Sequence, residues 1–336
     1  MDASITWREA DGEIKPFVLQ DGREIAVEWA PQPGSQQAFL ECPLEEVLYE
    51  GTRGPGKTDA LLMDFAQHVG IGFGAEWKGV LFRKTYPELQ DVIEKSRKWF
   101  NRIWPQAALN EGKSFWEWPT GERLYFRQFA KPADYWKYHG HAYPWIGWEE
   151  LTTWPDDVCF KSMFACSRST KIGMPRKIRA TTNPYGIGHN FVKRRYRLPA
   201  KPGEIIGEII TDARDENGEL EVPRVAIHGY LDENQILMRA DPDYKQRIRM
   251  AARNKSELAA WLEGSWDIVA GGMVDDVWDR TMHCIEPFKI PVGWTIDRAF
   301  DWGSSKPFAL QWWAESDGSA APNGKVYRKG SLFLIA

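Results

Sequence analysis

The residues best suited to chemistry form a glycine-rich octapeptide near the start of the chain. Residues 51–58 read Gly-Thr-Arg-Gly-Pro-Gly-Lys-Thr and satisfy the pattern G-x-x-x-x-G-K-[S/T]. They lie between residues 47–49, a predicted buried strand, and residues 59–69, a predicted helix. Glycines let backbone N–H groups surround a phosphate, and the start of a helix adds the positive end of its dipole. The pattern predicts a phosphate-binding loop (P-loop), because its flanking elements disfavour a glycine turn with a chance lysine.

The loop predicts MgATP as the ligand. Lys57 is expected to neutralise the β- and γ-phosphates, and the Thr58 hydroxyl to bind Mg²⁺. The other predicted nucleotide contacts come from the preceding residues of the loop, which are Gly51, Thr52, Arg53, Gly54, Pro55 and Gly56.

Two further strand ends carry polar residues that suit ATP hydrolysis. An apolar run at residues 145–148 ends in Glu149 and Glu150, at the kind of edge where a parallel sheet binds its ligand. We expect Glu149 to hold the Mg²⁺ shell and Glu150 to polarise the attacking water, the alternative being a solvated surface pair. Asn183 follows a predicted strand at residues 178–181, where it either senses the γ-phosphate or simply opens an Asn-Pro turn.

Arginines outside the loop supply candidates for catalysis or DNA contact. Arg53 and Arg168 are predicted to lie near the site as catalytic residues. The basic run at residues 193–197 suits DNA phosphates or an arginine finger that reaches a neighbouring subunit, but it suits a solvated surface equally well.

Composition limits the class of protein. The 336 residues include 43% hydrophobic and 27% charged residues, which is typical of a globular chain, and the 18 Trp are predicted to be mostly core. A net charge of −4 means that any nucleic-acid contact must come from local basic patches. The four cysteines have no metal-binding or disulfide spacing, and we expect neither a signal peptide nor a membrane helix.

The order of elements predicts an α/β fold with a mainly parallel central sheet. Further predicted strands lie at residues 79–82, 115–118 and 124–129, the last two forming a hairpin, and helices are predicted at 87–104 and 242–262. The predicted divisions of the chain are an N-terminal lead without chemistry (1–30), a P-loop ATPase core (31–204), a lid or linker subdomain (205–270), a linker (271–290) and the start of a second domain (291–336).

These motifs together resemble the large terminase subunit of tailed bacteriophages, the DNA-packaging motor. The resemblance rests first on residues 33–40, which resemble an adenine-side glutamine motif led by Gln36, and on the P-loop containing Arg53. It rests also on residues 146–152 as the acidic motif and on residues 181–196 as the coupling motif and the segment after it. Residues 261–266 and 300–303 resemble the junction and first strand of that family's nuclease. The match covers most of residues 31–336, but the family usually has Asp where this chain has Glu149.

The resemblance implies a function and a set of partners. It implies an ATP-driven motor that moves double-stranded DNA into a procapsid, as a ring on the portal protein, with a small terminase subunit, in the host bacterial cytoplasm and without a membrane. It also implies the first strands of a ribonuclease-H-like endonuclease, in which Asp301 would bind Mg²⁺ or Mn²⁺. We expect the chain to be truncated within that nuclease and therefore unable to cut DNA.

Three other functions remain open. A helicase-like ATPase needs a second ATPase-like domain, for which too few residues follow Trp266. A P-loop kinase lacks the paired glutamates at a strand end. The third alternative is a nucleotide-binding fragment without turnover, because an isolated chain lacks the arginine of a neighbouring subunit.

Overall fold

The computed structural model describes residues 5–10, 12–201, 203–215, 217–268, 280–302 and 308–335. The chain divides into two compact units, Met1–Asp276 and Val277–Ala336. The glycines of the predicted linker, Gly271 and Gly272, and Gly303 of the predicted nuclease motif lie outside the described residues.

The predicted N-terminal lead is a three-stranded antiparallel meander. A two-residue turn joins its second and third strands, with φ at Asp21 of 51° and at Gly22 of 73°, as in the hairpin turns that Asp-Gly favours. The Asp21-Gly22 pair is thus a hairpin signal within residues 1–30, the segment predicted to be only an N-terminal lead. The strands are β1 (Ile5–Ala10), β2 (Glu13–Gln20) and β3 (Arg23–Ala26).

An eight-stranded sheet forms the centre of the first unit and confirms the predicted α/β class. Its order is β11-β4-β10-β9-β5-β8-β7-β6, and the first six of these strands run parallel. β7 pairs antiparallel with both β6 and β8, which confirms the predicted hairpin. The strands are β4 (Glu46–Gly51), β5 (Lys78–Arg83), β6 (Ala108–Asn110), β7 (Phe115–Glu117), β8 (Arg123–Gln128), β9 (Trp145–Trp148), β10 (Lys177–Thr181) and β11 (Arg224–Gly229).

Helices and loops cover both faces of this sheet and enclose two apolar clusters. One cluster joins Val47 and Tyr49 of β4 to Leu62 and Phe65, and the other contains Leu48 of the same strand. Alternate residues of one strand therefore face opposite layers, as a doubly covered sheet requires. Four Trp outside clean amphipathic patterns are buried, as expected, namely Trp77, Trp116, Trp118 and Trp154. The helices are α1 (Ser35–Glu41), α2 (Lys57–Ala66), α3 (Tyr86–Ile103), α4 (Val158–Ser162), α5 (His189–Arg195), α6 (Gln235–Ala240), α7 (Tyr244–Ala251), α8 (Lys255–Leu262) and α9 (Arg280–His283).

The segment predicted as a lid differs from its prediction in two ways. β11, which falls within it, pairs with the P-loop strand β4 and is part of the central sheet. The single helix predicted at residues 242–262 is wrong, since α7 ends at Ala251 and α8 begins at Lys255. Asn254 causes the restart, because its side chain accepts a hydrogen bond from the Glu257 N–H at 2.8 Å and so caps α8.

The second unit contains an antiparallel sheet in the order β12-β13-β14. Trp294, Ala314 and Ala321 form its buried core. In the described part of the chain no helix has the length and apolar character needed to cross a bilayer, and the four cysteines are free. The strands are β12 (Thr295–Asp301), β13 (Ala309–Glu315) and β14 (Leu332–Leu334).

Candidate nucleotide site

The P-loop joins β4 to α2, the context that its sequence pattern predicts. A Cβ at Gly51, where φ is 119°, would lie 2.3 Å from the Gly229 carbonyl oxygen of the neighbouring strand β11. A Cβ at Gly56, where φ is 86°, would lie 2.6 Å from the Gln36 amide nitrogen. Glycine suits both of these positive-φ positions, and the Gly229 backbone leaves no room for a side chain at residue 51.

Lys57 begins α2, and its ammonium group is held inside the site. Its Nζ donates to the Thr52 carbonyl at 2.5 Å and to Asn183 Oδ1 at 3.0 Å. Burial lowers the pKa of Lys57 to about 8, against the opposing effect of Glu150 and Glu50. A phosphate placed among these groups would raise this pKa again, because opposite charges favour the ionised form.

The acidic strand β9 places Glu149 beside the hydroxyl of Thr58. Thr58 Oγ1 donates to Glu149 Oε1 at 2.6 Å, which brings together the two predicted Mg²⁺ ligands. Burial raises the pKa of the Glu149 carboxyl, and the adjacent Arg83 guanidinium opposes that rise. A hydroxyl and a carboxylate are hard oxygen donors of the kind that Mg²⁺ takes together with phosphate and water, so the residues present fit the ion despite the longer Glu149 side chain.

Arg83, at the end of β5, is a site residue that the sequence interpretation missed. Its Nε lies 3.2 Å from Glu149 Oε2, and its Nη1 donates to the Glu149 carbonyl at 3.4 Å. Its side chain is only 13% exposed, so solvent screens this ion pair weakly. Arg83 therefore fixes one oxygen of Glu149 while the other faces Thr58.

Glu150 has a left-handed backbone, with φ 57° and ψ 58°. This conformation costs a non-glycine residue about 1–3 kcal/mol and marks functional sites when the surroundings enforce it. Asn183 Nδ2 donates to the Glu150 carboxylate, at 3.1 Å from Oε1 and 3.3 Å from Oε2. The side chain of Asn183 thus connects Lys57 to Glu150, because its Oδ1 accepts from Lys57 and its Nδ2 donates to Glu150.

Two threonines connect the ends of the acidic strand and its neighbour β10. The Thr152 and Thr182 hydroxyls lie 2.7 Å apart, and Thr152 Oγ1 donates to the Asn183 carbonyl at 3.2 Å. The Thr152 N–H also donates to Thr182 Oγ1 at 3.1 Å. These buried bonds make the segments that carry Glu150 and Asn183 a single connected unit.

Gln36 and Arg53 lie at the P-loop, but both already contact other groups of the protein. Gln36 Nε2 donates to the Gly56 carbonyl at 3.0 Å, and its Oε1 accepts from the Gln32 N–H at 2.6 Å. The Arg53 guanidinium lies 3.4 Å from the centre of the Trp261 ring on α8, and the backbone N–H of Arg53 donates to the Trp261 carbonyl at 2.8 Å. Gln36 in this arrangement supports the loop, and Arg53 connects it to α8.

Arg168 is not at the site, which corrects its predicted position. Its guanidinium donates to the Gly140 carbonyl at 2.6 Å, and Ser167 beside it bonds to Glu45, which precedes β4. This segment therefore lies at the amino edge of the sheet, opposite the P-loop. The physical reason is that the chain must return to that edge before β10 can run parallel to β9.

The basic run at residues 193–197 is largely occupied by internal ion pairs. Arg195 is buried and bonds Glu46 through Nε at 2.7 Å and Nη2 at 2.6 Å. Lys193 bonds Asp267 at 2.8 Å, and Arg197 pairs with Glu208 and Asp212. Within this run Arg194 is exposed, so the structure favours a supporting role for most of it over contact with DNA.

Asp301 ends β12 in the second unit and is exposed. Among the described residues no group of three or more His, Cys, Asp or Glu is placed to hold a metal ion. Asp317 Oδ1 accepts a hydrogen bond from the Ser319 N–H at 2.8 Å.

A cavity of about 1330 Å³ opens over the P-loop. Residues of the loop and of α3, α6, α7 and α8 line it, as does the N-terminal meander through Trp7 and Lys15. Its size exceeds the usual range for small-molecule sites, about 300–1000 Å³, so it has room for a nucleoside triphosphate. The N-terminal segment therefore contributes a wall to the site, contrary to the expectation of a lead without chemistry.

Replacing Arg83 with Gln is expected to raise the Mg²⁺ concentration needed for half-maximal nucleotide turnover by about tenfold or more. Groups that orient a metal ligand typically contribute 10–100-fold in metal affinity. The measurement is an Mg²⁺ titration at saturating nucleotide, with Arg83→Lys expected to restore part of the loss. Arg97→Gln is the control, since Arg97 pairs with Glu94 and Glu111 on the surface; an unchanged Mg²⁺ requirement in Arg83→Gln would contradict the assigned role.

Comparisons with known proteins bear on the fold. No protein-family model matches the chain, and no curated protein does. Among solved structures, the large terminase of a thermophilic bacteriophage matches in one crystal form at 17% identity and TM-score 0.53, covering 90% of this chain and 69% of that one. The same terminase with ADP matches at 16% identity and TM-score 0.51, and with ATP-γ-S at 16% and 0.50, each covering 90% of this chain and 67% of that one. The resemblance to large terminases that the motifs indicate is thus confirmed at the level of the fold.

Proposed function

We propose that this chain is an ATPase subunit of a motor that drives double-stranded viral DNA into a procapsid. The observation that carries the proposal is the hydrogen-bonded set Lys57–Asn183–Glu150 at the end of three adjacent strands. It supports the proposal because an ammonium group, an amide and a carboxylate meet at one point above the P-loop. The terminase fold supports the motor over other uses of ATP.

The residues suggest how hydrolysis would proceed. Lys57 neutralises the β- and γ-phosphates, and the loop N–H groups hold them in place. Glu150 orients a water molecule for in-line attack and takes its proton, the role of a general base. Mg²⁺, when bound by Thr58 and Glu149, would neutralise charge on the phosphate oxygens. Asn183 loses one of its neighbours when the γ-phosphate leaves, and through Thr152 and Thr182 that change would reach the adjacent segments.

The assembly is proposed by analogy of fold. Several copies would form a ring on the portal protein of the procapsid, with a small terminase subunit, in the cytoplasm of the infected bacterium. Arg53 lies beside the nucleotide cavity, and a further arginine would come from the neighbouring copy. Asp301 alone does not form a two-metal nuclease centre, so DNA cutting is not proposed for this chain.

Duplex DNA is expected to stimulate ATP turnover by about tenfold, a 1.4 kcal/mol lower barrier, because DNA engagement organises the motor. Steady-state phosphate release with and without a duplex of several hundred base pairs tests this. A P-loop kinase would instead respond to a small acceptor molecule, and a fragment that only binds nucleotide would release no phosphate. A rate of ATP turnover that duplex DNA does not change would contradict the motor function but not the ATPase activity.

A further inference from the structure

A second concave surface lies on the first unit, away from the P-loop. This groove has a volume of about 270 Å³ and none of its residues lines the nucleotide cavity. It is below the range of about 300–1000 Å³ typical of small-molecule pockets. We call it the β8 groove; its lining residues are Lys78, Tyr125, Arg127, Lys137, Tyr138, His141, Ala142 and Tyr143.

The alternation of side chains along β8 creates one wall of the groove. Leu124 and Phe126 are buried, while Tyr125 and Arg127 point to the other side of the strand and are partly exposed. The Tyr125 ring lies 5.2 Å from that of Phe115 on the paired strand β7 and 6.2 Å from that of Tyr143. Tyr125 is the partly exposed tyrosine of the groove, while Tyr138 and Tyr143, which also line it, are buried.

Arg127 is held rigidly in this surface. Its Nη1 donates to the carbonyls of Lys113, Ser114 and Phe126 at 2.9, 3.0 and 2.7 Å. Its guanidinium carbon lies 5.0 Å from the centre of the Tyr125 ring. A guanidinium fixed in this way loses little entropy when it binds an anion.

The charge around the groove is positive. Lys78, Arg127 and Lys137 line it, and no carboxylate does so among the described residues. Among the described residues Asp134 is paired with Lys137 at 2.8 Å, so Lys78 and Arg127 supply the net positive charge of the groove. In a chain of net charge −4, this is a local basic surface of the kind that nucleic-acid contact requires.

We propose that the β8 groove binds the phosphodiester backbone of duplex DNA, an inference that rests on the proposed motor function. Cations held on a protein surface contact the phosphates of a duplex without reading its sequence, because every base pair carries the same backbone charge. The small volume suits a phosphate and its sugar better than a whole ligand.

The test compares two double variants that remove equal charge. Lys78→Gln with Lys137→Gln changes the groove, whereas Lys201→Gln with Arg249→Gln removes two exposed cations that do not line it. Fluorescence anisotropy measures the affinity of a short labelled duplex between 50 and 200 mM salt. We expect the groove variant to lose about tenfold in affinity per lost contact at 0.1 M salt and to reduce the salt slope by about 0.9 per contact, while the control keeps the wild-type slope.

Two further readouts separate the outcomes. ATP turnover without DNA should be unchanged in both double variants, which would show that the fold is intact. Arg127→Lys should weaken DNA binding, because lysine lacks the planar guanidinium whose donors are held in a fixed arrangement. Wild-type affinity and slope in the groove variant would overturn the proposal, as would a change confined to self-association in sedimentation. Failure of the wild-type chain to bind duplex at any salt would instead defeat the proposed motor function.

Discussion

Replacing Lys57 with Ala is expected to abolish ATP turnover and to weaken ATP binding by at least about a hundredfold. The ammonium group lies inside the site before nucleotide arrives, on the Thr52 carbonyl and Asn183. Hydrogen bonds to charged groups contribute about 1.5–3 kcal/mol each, so loss of contacts to two phosphates costs about 3 kcal/mol or more. That value corresponds to a factor of about 150 in the dissociation constant.

Isothermal titration with ATP and Mg²⁺ measures the loss of binding, and phosphate release measures turnover. Lys84→Ala is the matched control, because Lys84 also donates to a backbone carbonyl, that of Thr153 at 2.7 Å, yet does not line the cavity. The thermal midpoint of the Lys57 variant without nucleotide should stay near that of wild type, since a desolvated charge is removed. ATP turnover near the wild-type rate would mean that the P-loop is not the nucleotide site.

The sequence predicted the P-loop and the acidic pair because their signals are local. A strand, a glycine loop and a helix are adjacent in the chain, and an apolar run that ends in two glutamates needs no distant information. The parallel-sheet rule then places both at one edge, and the contacts of Lys57 and Glu150 with Asn183 are consistent with it.

The role of Asn183 depended on the strand order, which the sequence did not reveal. β10 lies between the P-loop strand β4 and the acidic strand β9, so Asn183, two residues after the end of β10, is placed between Lys57 and Glu150. The same order explains Arg83, because β5 is the neighbour of β9 on its other side. An arginine at a strand end is common in sequences, and only the pairing of strands identifies its partner.

The wrong expectation for Arg168 has a topological origin. Arg168 is close to Glu150 in sequence, but it lies on the connection that returns the chain to the amino edge before β10. Arg195 occupies the equivalent connection before β11 and accordingly pairs with Glu46, the first residue of β4. Sequence distance from a site residue is therefore a poor guide in a parallel sheet, whereas position before or after a strand is a good one.

Replacing Glu150 with Gln is expected to leave ATP binding within about threefold of wild type and to lower turnover by about 10²–10⁴, the usual contribution of a general base. The amide has the shape of the carboxylate and can still accept the Asn183 Nδ2 hydrogen bond, so the site should keep its geometry. It cannot take a proton from water, so the chemical step alone should fail. The left-handed backbone at this residue is retained, since Gln and Glu have the same branching.

Single-turnover hydrolysis separates this effect from slow product release. Asp91→Asn is the control, because Asp91 lines the same cavity from α3 and is exposed there. A Glu150→Gln variant that binds ATP, fails to hydrolyse it and keeps its DNA affinity would be a motor stopped before the chemical step. Turnover that persists in this variant but disappears in Glu149→Gln would move the base to Glu149, and Arg83 would then orient the base rather than a metal ligand.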